Sequence, residues 1–378
     1  MFNAWSTFVK WNINIMCGNC ILTMFKRKKN DPLGYVRHQR RDVITFLYKS
    51  AEEIKDSNYI FVWDLDKTYL DTDFGGFRKI MKIAFEQAIK KRNVPGTDQL
   101  VRSLAKCNKP FPIFFISASP PQMQEKIYEK WMHDRIKPYG FYSKDNLKNL
   151  RFGRWARLTN HIGFKIQALM ELRILISKDT KMICWGDDSE SDATIYSLFS
   201  DICSHKLTDK ETIALLKEFN VLPEQIDLIL ELRDQRDHFD PIHRVYINLA
   251  VDTDPEYYRK YGRRLMAVEN SFEVTIDLFQ RGFIDLDGVK AVANSLIKKY
   301  KFKPFQLEEA YELLAKRSRL SKTADELLRP LLINMNILSA DYTPSVGLMS
   351  DDSFPVQKDF STVVRPWVPE RIDYLSDY

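Results

Sequence analysis

The chain has 378 residues, 44% of them hydrophobic and 29% charged, with a formal net charge of +6 at pH 7. That length suggests about two domains of roughly 100–200 residues each, and the apolar fraction is enough for sizeable cores and excludes disorder over most of the chain. The mild positive charge favours anionic partners but, with no zinc-finger or RNP motif beside it, is no signature of a nucleic-acid binder, and no specific nucleic acid is expected as a partner. Five cysteines, Cys17, Cys20, Cys107, Cys184 and Cys203, are an odd number in a long chain, which argues against a disulfide framework and for a reducing, cytoplasmic home. Cys184 lies in an apolar run and is expected to pack as a small hydrophobe. The lone Cys17-Gly-Asn-Cys20 has no second pair to complete a metal site.

No window approaches the ~18 apolar residues of a spanning helix. Residues 11–25 (WNINIMCGNCILTMF) are uncharged and largely apolar and precede Lys26-Arg27-Lys28-Lys29. A secretory signal carries its positive charge before the apolar run, not after it. Residues 1–30 are therefore read as an N-terminal extension, loose or peripheral to a membrane, with Met24 as an alternative start. Residues 41–54 (RDVITFLYKSAEEI) space apolar residues as a helix does. Residues 59–63 (YIFVW) form a buried strand that stops at Asp64, and residues 77–91 have a helical period. A second buried strand, 112–116 (PIFFI), stops at Ser117. Helices follow over 122–135 and 164–176, and a third buried strand, 181–185 (KMICW), runs into Gly186-Asp187-Asp188. Further on, helices are expected over 208–219, 223–232, 272–279, 289–300, 306–316 and 324–338, with one strand at 244–250. The tail from about residue 341 has weak periodicity and is expected to be extended.

Continuous apolar strands separated by helices imply an α/β fold, a parallel sheet covered on both faces, with a mostly helical C-terminal portion. In such sheets the ligand site lies at the carboxyl ends of the strands, and here three strands end in polar or acidic residues. Asp64-Leu65-Asp66-Lys67-Thr68 offers a carboxylate able to accept a phosphoryl group and a second one, two residues on, able to move protons. Ser117 and its neighbour Ser119 offer hydroxyls to phosphoryl oxygens. Lys165 stands at a helix start, where a cation departs from the dipole preference; a solvated lysine and a functional one both explain it. Gly186-Asp187-Asp188-Ser189-Glu190-Ser191-Asp192 is an acidic loop of the kind that holds Mg²⁺, which prefers a few carboxylates plus water and phosphate oxygens. Arg154 and Arg157, in RFGRWAR, could grip an anionic substrate, although a solvated basic loop fits equally well.

The order strand-DxDxT, strand-Ser, helix-Lys, strand-GDD…D resembles the four motifs of haloacid-dehalogenase-like (HAD) phosphatases from about residue 59 to 201. More narrowly, ISASP and GDDSESDATIY resemble the catalytic domain of the actin-patch phosphatidate phosphatase family (DUF2183-like), although DLDKT stands where that family usually has DIDDT and Pro121 where it often has Trp. The resemblance implies a Rossmannoid fold and a Mg²⁺-dependent phosphomonoesterase with an aspartyl-phosphate intermediate. It makes Asp64 the nucleophile and a metal ligand. Asp66 becomes the general acid/base, with its carbonyl on the metal. Thr68 orders the loop, Ser117 and Lys165 hold the phosphoryl group, Asp187 is the main motif-four ligand, and Asp188 and Asp192 support it. The implied organisation is an extension (1–30), a HAD-like phosphatase domain (31–203), a mostly helical region that could add a strand to the sheet (204–340) and a tail (341–378). The segments between the motifs are too short for a large cap domain, which suits bulky substrates such as an anionic lipid at a membrane surface. Rival readings are a phosphatase for a soluble metabolite, phosphoprotein or nucleic-acid end, a phosphotransferase, and a non-catalytic binding module on the same fold.

Overall fold

The computed structural model describes residues 26–27, 35–55, 57–71, 93–105, 111–145, 161–189, 191–250, 253–348, 357–358 and 364–376. The expected helix over 77–91, nearly all of the extension 1–30, Cys17, Cys20, Cys107, Arg154 and Arg157 lie outside these residues. In chain order the strands of the main sheet are β1 (Lys26–Arg27), β2 (Val36–Arg40), β3 (Val43–Leu47), β4 (Tyr59–Asp64), β5 (Ile113–Ser117), β6 (Gly140–Lys144), β7 (Lys181–Asp187), β8 (Ile242–Asn248) and β9 (Leu265–Val268). They lie side by side as β1-β2-β3-β6-β5-β4-β7-β8-β9. The six strands from β6 to β9 are mutually parallel, and β3, β2 and β1 extend the sheet antiparallel beyond β6.

The unbroken apolar runs have a simple cause. In β4, Ile60 and Val62 pack into one core and Phe61 and Trp63 into the other. β5 and β7 alternate in the same way, so each strand is buried on both faces. One core is covered by α1 (Ala51–Lys55), α4 (His161–Leu175), α5 (Asp192–Cys203), α6 (Asp209–Glu218) and α7 (Pro223–Asp234). The other lies under α2 (Thr97–Ala105), α3 (Gln124–His133), α8 (Ser271–Gln280), α9 (Leu286–Lys298), α10 (Pro304–Lys316) and α11 (Lys322–Asn334). Cys184 is fully buried among its apolar neighbours. No helix among the described residues is long and apolar enough to cross a membrane.

Residues 41–54 depart from the expected helix. They form the second half of a β-hairpin, turned at Arg41 with φ 52°, followed by the five-residue α1. Val43-Ile44-Thr45-Phe46-Leu47 is rich in β-branched and aromatic side chains, and all five residues are buried between β2 and β6. The apparent helical period arose from reading this strand and the separate helix as one window. Besides β3, the strands of the main sheet that were not anticipated are β1, β2, β6 and β9. The C-terminal region therefore adds two strands to the sheet, β8 and β9. Part of the tail docks: Pro366 and Trp367 accept main-chain hydrogen bonds from Arg263 and Arg264, and Ile372 and Tyr374 are buried.

Candidate active site

Strand order reverses around β4. From β4 the chain moves outward to β5 and β6, then returns to β7 on the other side before reaching β8 and β9. A crevice forms outside the carboxyl ends at such a switch point. Asp64 ends β4, Ser117 ends β5 and Asp187 ends β7, so the topology brings three of the sequence-picked residues to one edge. Beneath them the indoles of Trp63 and Trp185 stack, with centroids 4.2 Å apart and planes 6° apart, a firm floor for the loops above.

Lys165 reaches this edge from the second turn of α4, which begins at His161 and not at 164 as expected from the sequence, so the lysine does not stand at the helix start. Its Nζ lies 2.8 Å from Asp64 Oδ1 and 2.5 Å from Asp192 Oδ1, and all three side chains are at most 1% exposed. A lysine this deeply buried needs counter-charge, and the two buried carboxylates supply it. Asp192 opens α5, where an acidic residue is favoured. Its other oxygen, Oδ2, accepts the Asp187 amide at 3.2 Å. Gly186 makes this possible, because a Cβ there would fall on the Asp192 carboxylate.

On the other side of Asp64, Ser117 Oγ donates to Asp66 Oδ2 (3.1 Å) and accepts the Ser119 amide (3.0 Å). The Ser119 carbonyl in turn accepts from Ser143 Oγ (2.7 Å), at the end of β6. The DxDxT loop turns through Lys67, at φ 55°, and closes with Leu70 N donating to Leu65 O at 2.8 Å. Thr68 is fully buried, and its hydroxyl finds no hydrogen-bond partner among the described residues. Just past it, the Tyr69 hydroxyl donates to Asp134 Oδ2 (2.5 Å). Asn93 donates to the same oxygen (3.0 Å), and Lys130 Nζ lies 2.7 Å from Asp134 Oδ1. This buried network anchors the loop from beneath. Burial, with the Asp134 carboxylate beside it, pushes the Tyr69 hydroxyl well above its usual range.

In the motif-four turn, Asp187 Oδ1 accepts both the amide (2.6 Å) and the hydroxyl (2.7 Å) of Ser189. Asp188 is held elsewhere: its Oδ2 accepts from Ala250 N (2.7 Å) and Thr253 Oγ1 (2.6 Å). Asn248, paired in register with Asp187, donates to the Thr68 carbonyl at 3.4 Å, and its own carbonyl accepts the Asp188 amide. Thus Asp64, Lys165, Asp192 and Asp187 are linked through direct contacts, and Asp66 joins Ser117 and Ser119. Asp188 is tied to the loop after β8. Ser143, Asn248 and Thr253 support the site and were missed. The first two lie at the carboxyl ends of β6 and β8, and only the strand order places those ends at the crevice. Among the described residues no three His, Cys, Asp or Glu side chains converge as a metal-binding group. The strand-end carboxylates nearest the crevice are Asp64 and Asp187.

Residues 59–206 match the family model described as the catalytic domain of the phosphatidate phosphatase APP1. No curated protein and no solved structure matches the chain. The matched span carries Asp64, Asp66, Ser117, Lys165, Asp187 and Asp192, and it marks the chain as an enzyme, a phosphoric monoester hydrolase. Asn248 and Thr253 lie beyond it.

Proposed function

We propose that the chain is a Mg²⁺-dependent phosphatase of the HAD superfamily that hydrolyses phosphatidate-type lipid phosphomonoesters through an aspartyl-phosphate on Asp64. The observation that carries the reading is the buried Asp64–Lys165–Asp192 contact at the switch point, beside the Ser117–Asp66 pair. Few other tasks account for a lysine enclosed by two carboxylates at the mouth of a parallel sheet.

In this mechanism an Asp64 oxygen attacks the phosphorus and the bond to the leaving alkoxide breaks. Asp66 gives that oxygen its proton, then takes one from a water that attacks the same phosphorus. Inorganic phosphate leaves and Asp64 is regenerated. Ser117 turns its hydroxyl from Asp66 to a phosphoryl oxygen, and Lys165 stabilises the charge of the group in transfer. Asp192 holds Lys165 in place. Asp64 and Asp187, with the Asp66 main-chain carbonyl, fit Mg²⁺, which needs only one or two carboxylates when water and phosphate complete its shell. Bound there, Mg²⁺ would offset the repulsion between an anionic substrate and a carboxylate nucleophile. Asp188 fits a supporting role, fixing the turn that carries Asp187. The substrate follows from the name of the matched family and from the absence of room for a large cap between the motifs. A lipid substrate places the reaction at a membrane surface, with the enzyme peripheral to it.

Phosphate release from a panel of phosphomonoesters that includes phosphatidate, with Mg²⁺ or EDTA, tests this. Release should need Mg²⁺ and should fall by on the order of a thousandfold or more in Asp64→Asn. Absence of release from every member by folded, Mg²⁺-supplied protein would overturn the reading.

A further inference from the structure

At the opposite edge of the sheet, below the amino ends of β5 and β6, lies a cavity of about 730 Å³. That is a size suited to a small organic ligand, for which pockets span roughly 300–1,000 Å³. Ile113, in its wall, begins β5, and Ser117 ends that strand. Four strand residues, about 13 Å of chain, therefore separate the cavity from the site described above.

The floor is apolar: Phe111, Ile113 and Tyr139, continuous with the core through the contact of Phe111 with Phe61. The rim is basic: Lys49, Arg102, Arg135, Lys137 and Lys299. Two carboxylates also line it, and both are engaged. Asp98 takes Arg102 Nη2 at 2.8 Å, Lys299 Nζ at 2.9 Å and the Tyr300 hydroxyl at 2.8 Å. These partners outweigh the opposing effect of burial and hold its carboxyl below the usual range. Asp134 is occupied by Lys130, Tyr69 and Asn93. One Asp98 charge thus serves two rim cations, and Lys49 pairs with Glu53. Arg135 and Lys137 form no ion pair with any described residue.

Part of this charge has a structural cause. α2, α3 and α9 all end here, and cations are favoured at helix carboxyl ends. Arg135 and Lys137, however, lie past the last turn of α3, and Arg135 sits at φ 59°, in the capping position where glycine is the usual occupant. The cavity therefore joins an apolar floor to a surplus of cations, the pairing that recognises an anionic head on an apolar body.

We propose that this cavity binds an organic phosphate, with its phosphate oxygens against Arg135, Lys137 and Lys299 and its apolar or aromatic body on Phe111, Ile113 and Tyr139. The proposal is independent of the catalytic reading, because no residue given a step in the reaction lines the cavity; Asp134, whose network anchors the DxDxT loop, is shared but is not part of the proposed ligand contact.

Calorimetric titration of the full chain carrying Asp64→Asn, which prevents turnover, tests it. Separate arms use ATP, dioctanoyl phosphatidate and inorganic pyrophosphate, and the first two distinguish a nucleotide from a lipid as the source of the phosphate. At least one organic arm should bind, and its dissociation constant should rise about tenfold or more in Arg135→Gly/Lys137→Ala. Glycine suits the backbone at position 135, so the melting temperature of this variant should not fall. An unchanged affinity in every arm, with the melting temperature held, would overturn the proposal, because all binding would then belong to the carboxyl edge. Pyrophosphate binding as tightly as either organic ligand would overturn the role of the floor.

Discussion

A buried lysine between two buried carboxylates is stable only while all three remain. Removing the cation alone leaves Asp64 and Asp192 facing each other out of water, so Lys165→Met should destabilise the fold by about 3–5 kcal/mol as well as abolish activity. Urea denaturation measures the first effect and phosphate release the second. Gly186→Ala acts on the same group from the backbone side. Its methyl would displace the Asp192 carboxylate, with an expected cost of about 2 kcal/mol or more, and the loss of activity should exceed what the fall in stability explains. Asp64, Asp66, Ser117 and Asp187 were legible in the sequence because each follows a recognisable apolar run. Lys165 was picked out as a cation at a helix start, but the helix begins at His161, and what marks the residue is its burial between two carboxylates. Ser143 and Asn248 were not legible. A serine and an asparagine at strand ends are common, and only the strand order shows that these two strands flank the crevice.

At the scale of elements, the loop after β8 acts as a clamp on motif four. Thr253→Val removes one of two hydrogen bonds to Asp188. It should lower kcat/KM by about tenfold with a stability change of about 1 kcal/mol, and Thr253→Ser, which keeps the hydroxyl, should recover most of the activity. Kinetics on the three proteins side by side would show whether the clamp or the bulk of the side chain matters. Three of the four strands that sequence reasoning found, β4, β5 and β7, are buried on both faces with unbroken apolar runs. Those it missed lack that signature. β6 begins at Gly140, where Phe114 and Leu47 leave no space for a Cβ, and it ends in Ser143 and Lys144. β9 has only four residues. β3 was misread because its four apolar residues and one threonine adjoin a short helix, and a window spanning both mimics a 3.6-residue period.

Across the whole molecule, β8, β9 and the helices after them complete what the family match begins. A chain ending at residue 206 would expose the open edge of β7, whose partner β8 comes later, and an exposed central strand invites edge pairing. Such a fragment should be insoluble or oligomeric by size-exclusion chromatography, whereas the full chain should elute as a folded species. The C-terminal half also carries a titration signature. Glu273 is fully buried in α8, and burial pushes its carboxyl up to about 8, although Arg317 nearby opposes this. Its folded value exceeds its unfolded one. Its contribution to stability is therefore complete at acid pH and is lost as pH rises from about 4.5 through about 8. Glu273→Gln should flatten that decline, and melting temperatures of both proteins from pH 5 to 9 would show it.

The central position of β4 also sets a timetable for biosynthesis. Its neighbour β7 closes at residue 187, and the sheet is finished only when β9 closes at residue 268. At 5–20 residues per second the ribosome takes roughly 4–16 s to cover that interval. From residue 192 onward the nascent chain holds Asp64, Ser117, Lys165, Asp187 and Asp192 beside a bare strand edge. Whatever shields that edge in the cell governs how much enzyme matures, so translation speed between residues 187 and 268 becomes a determinant of yield.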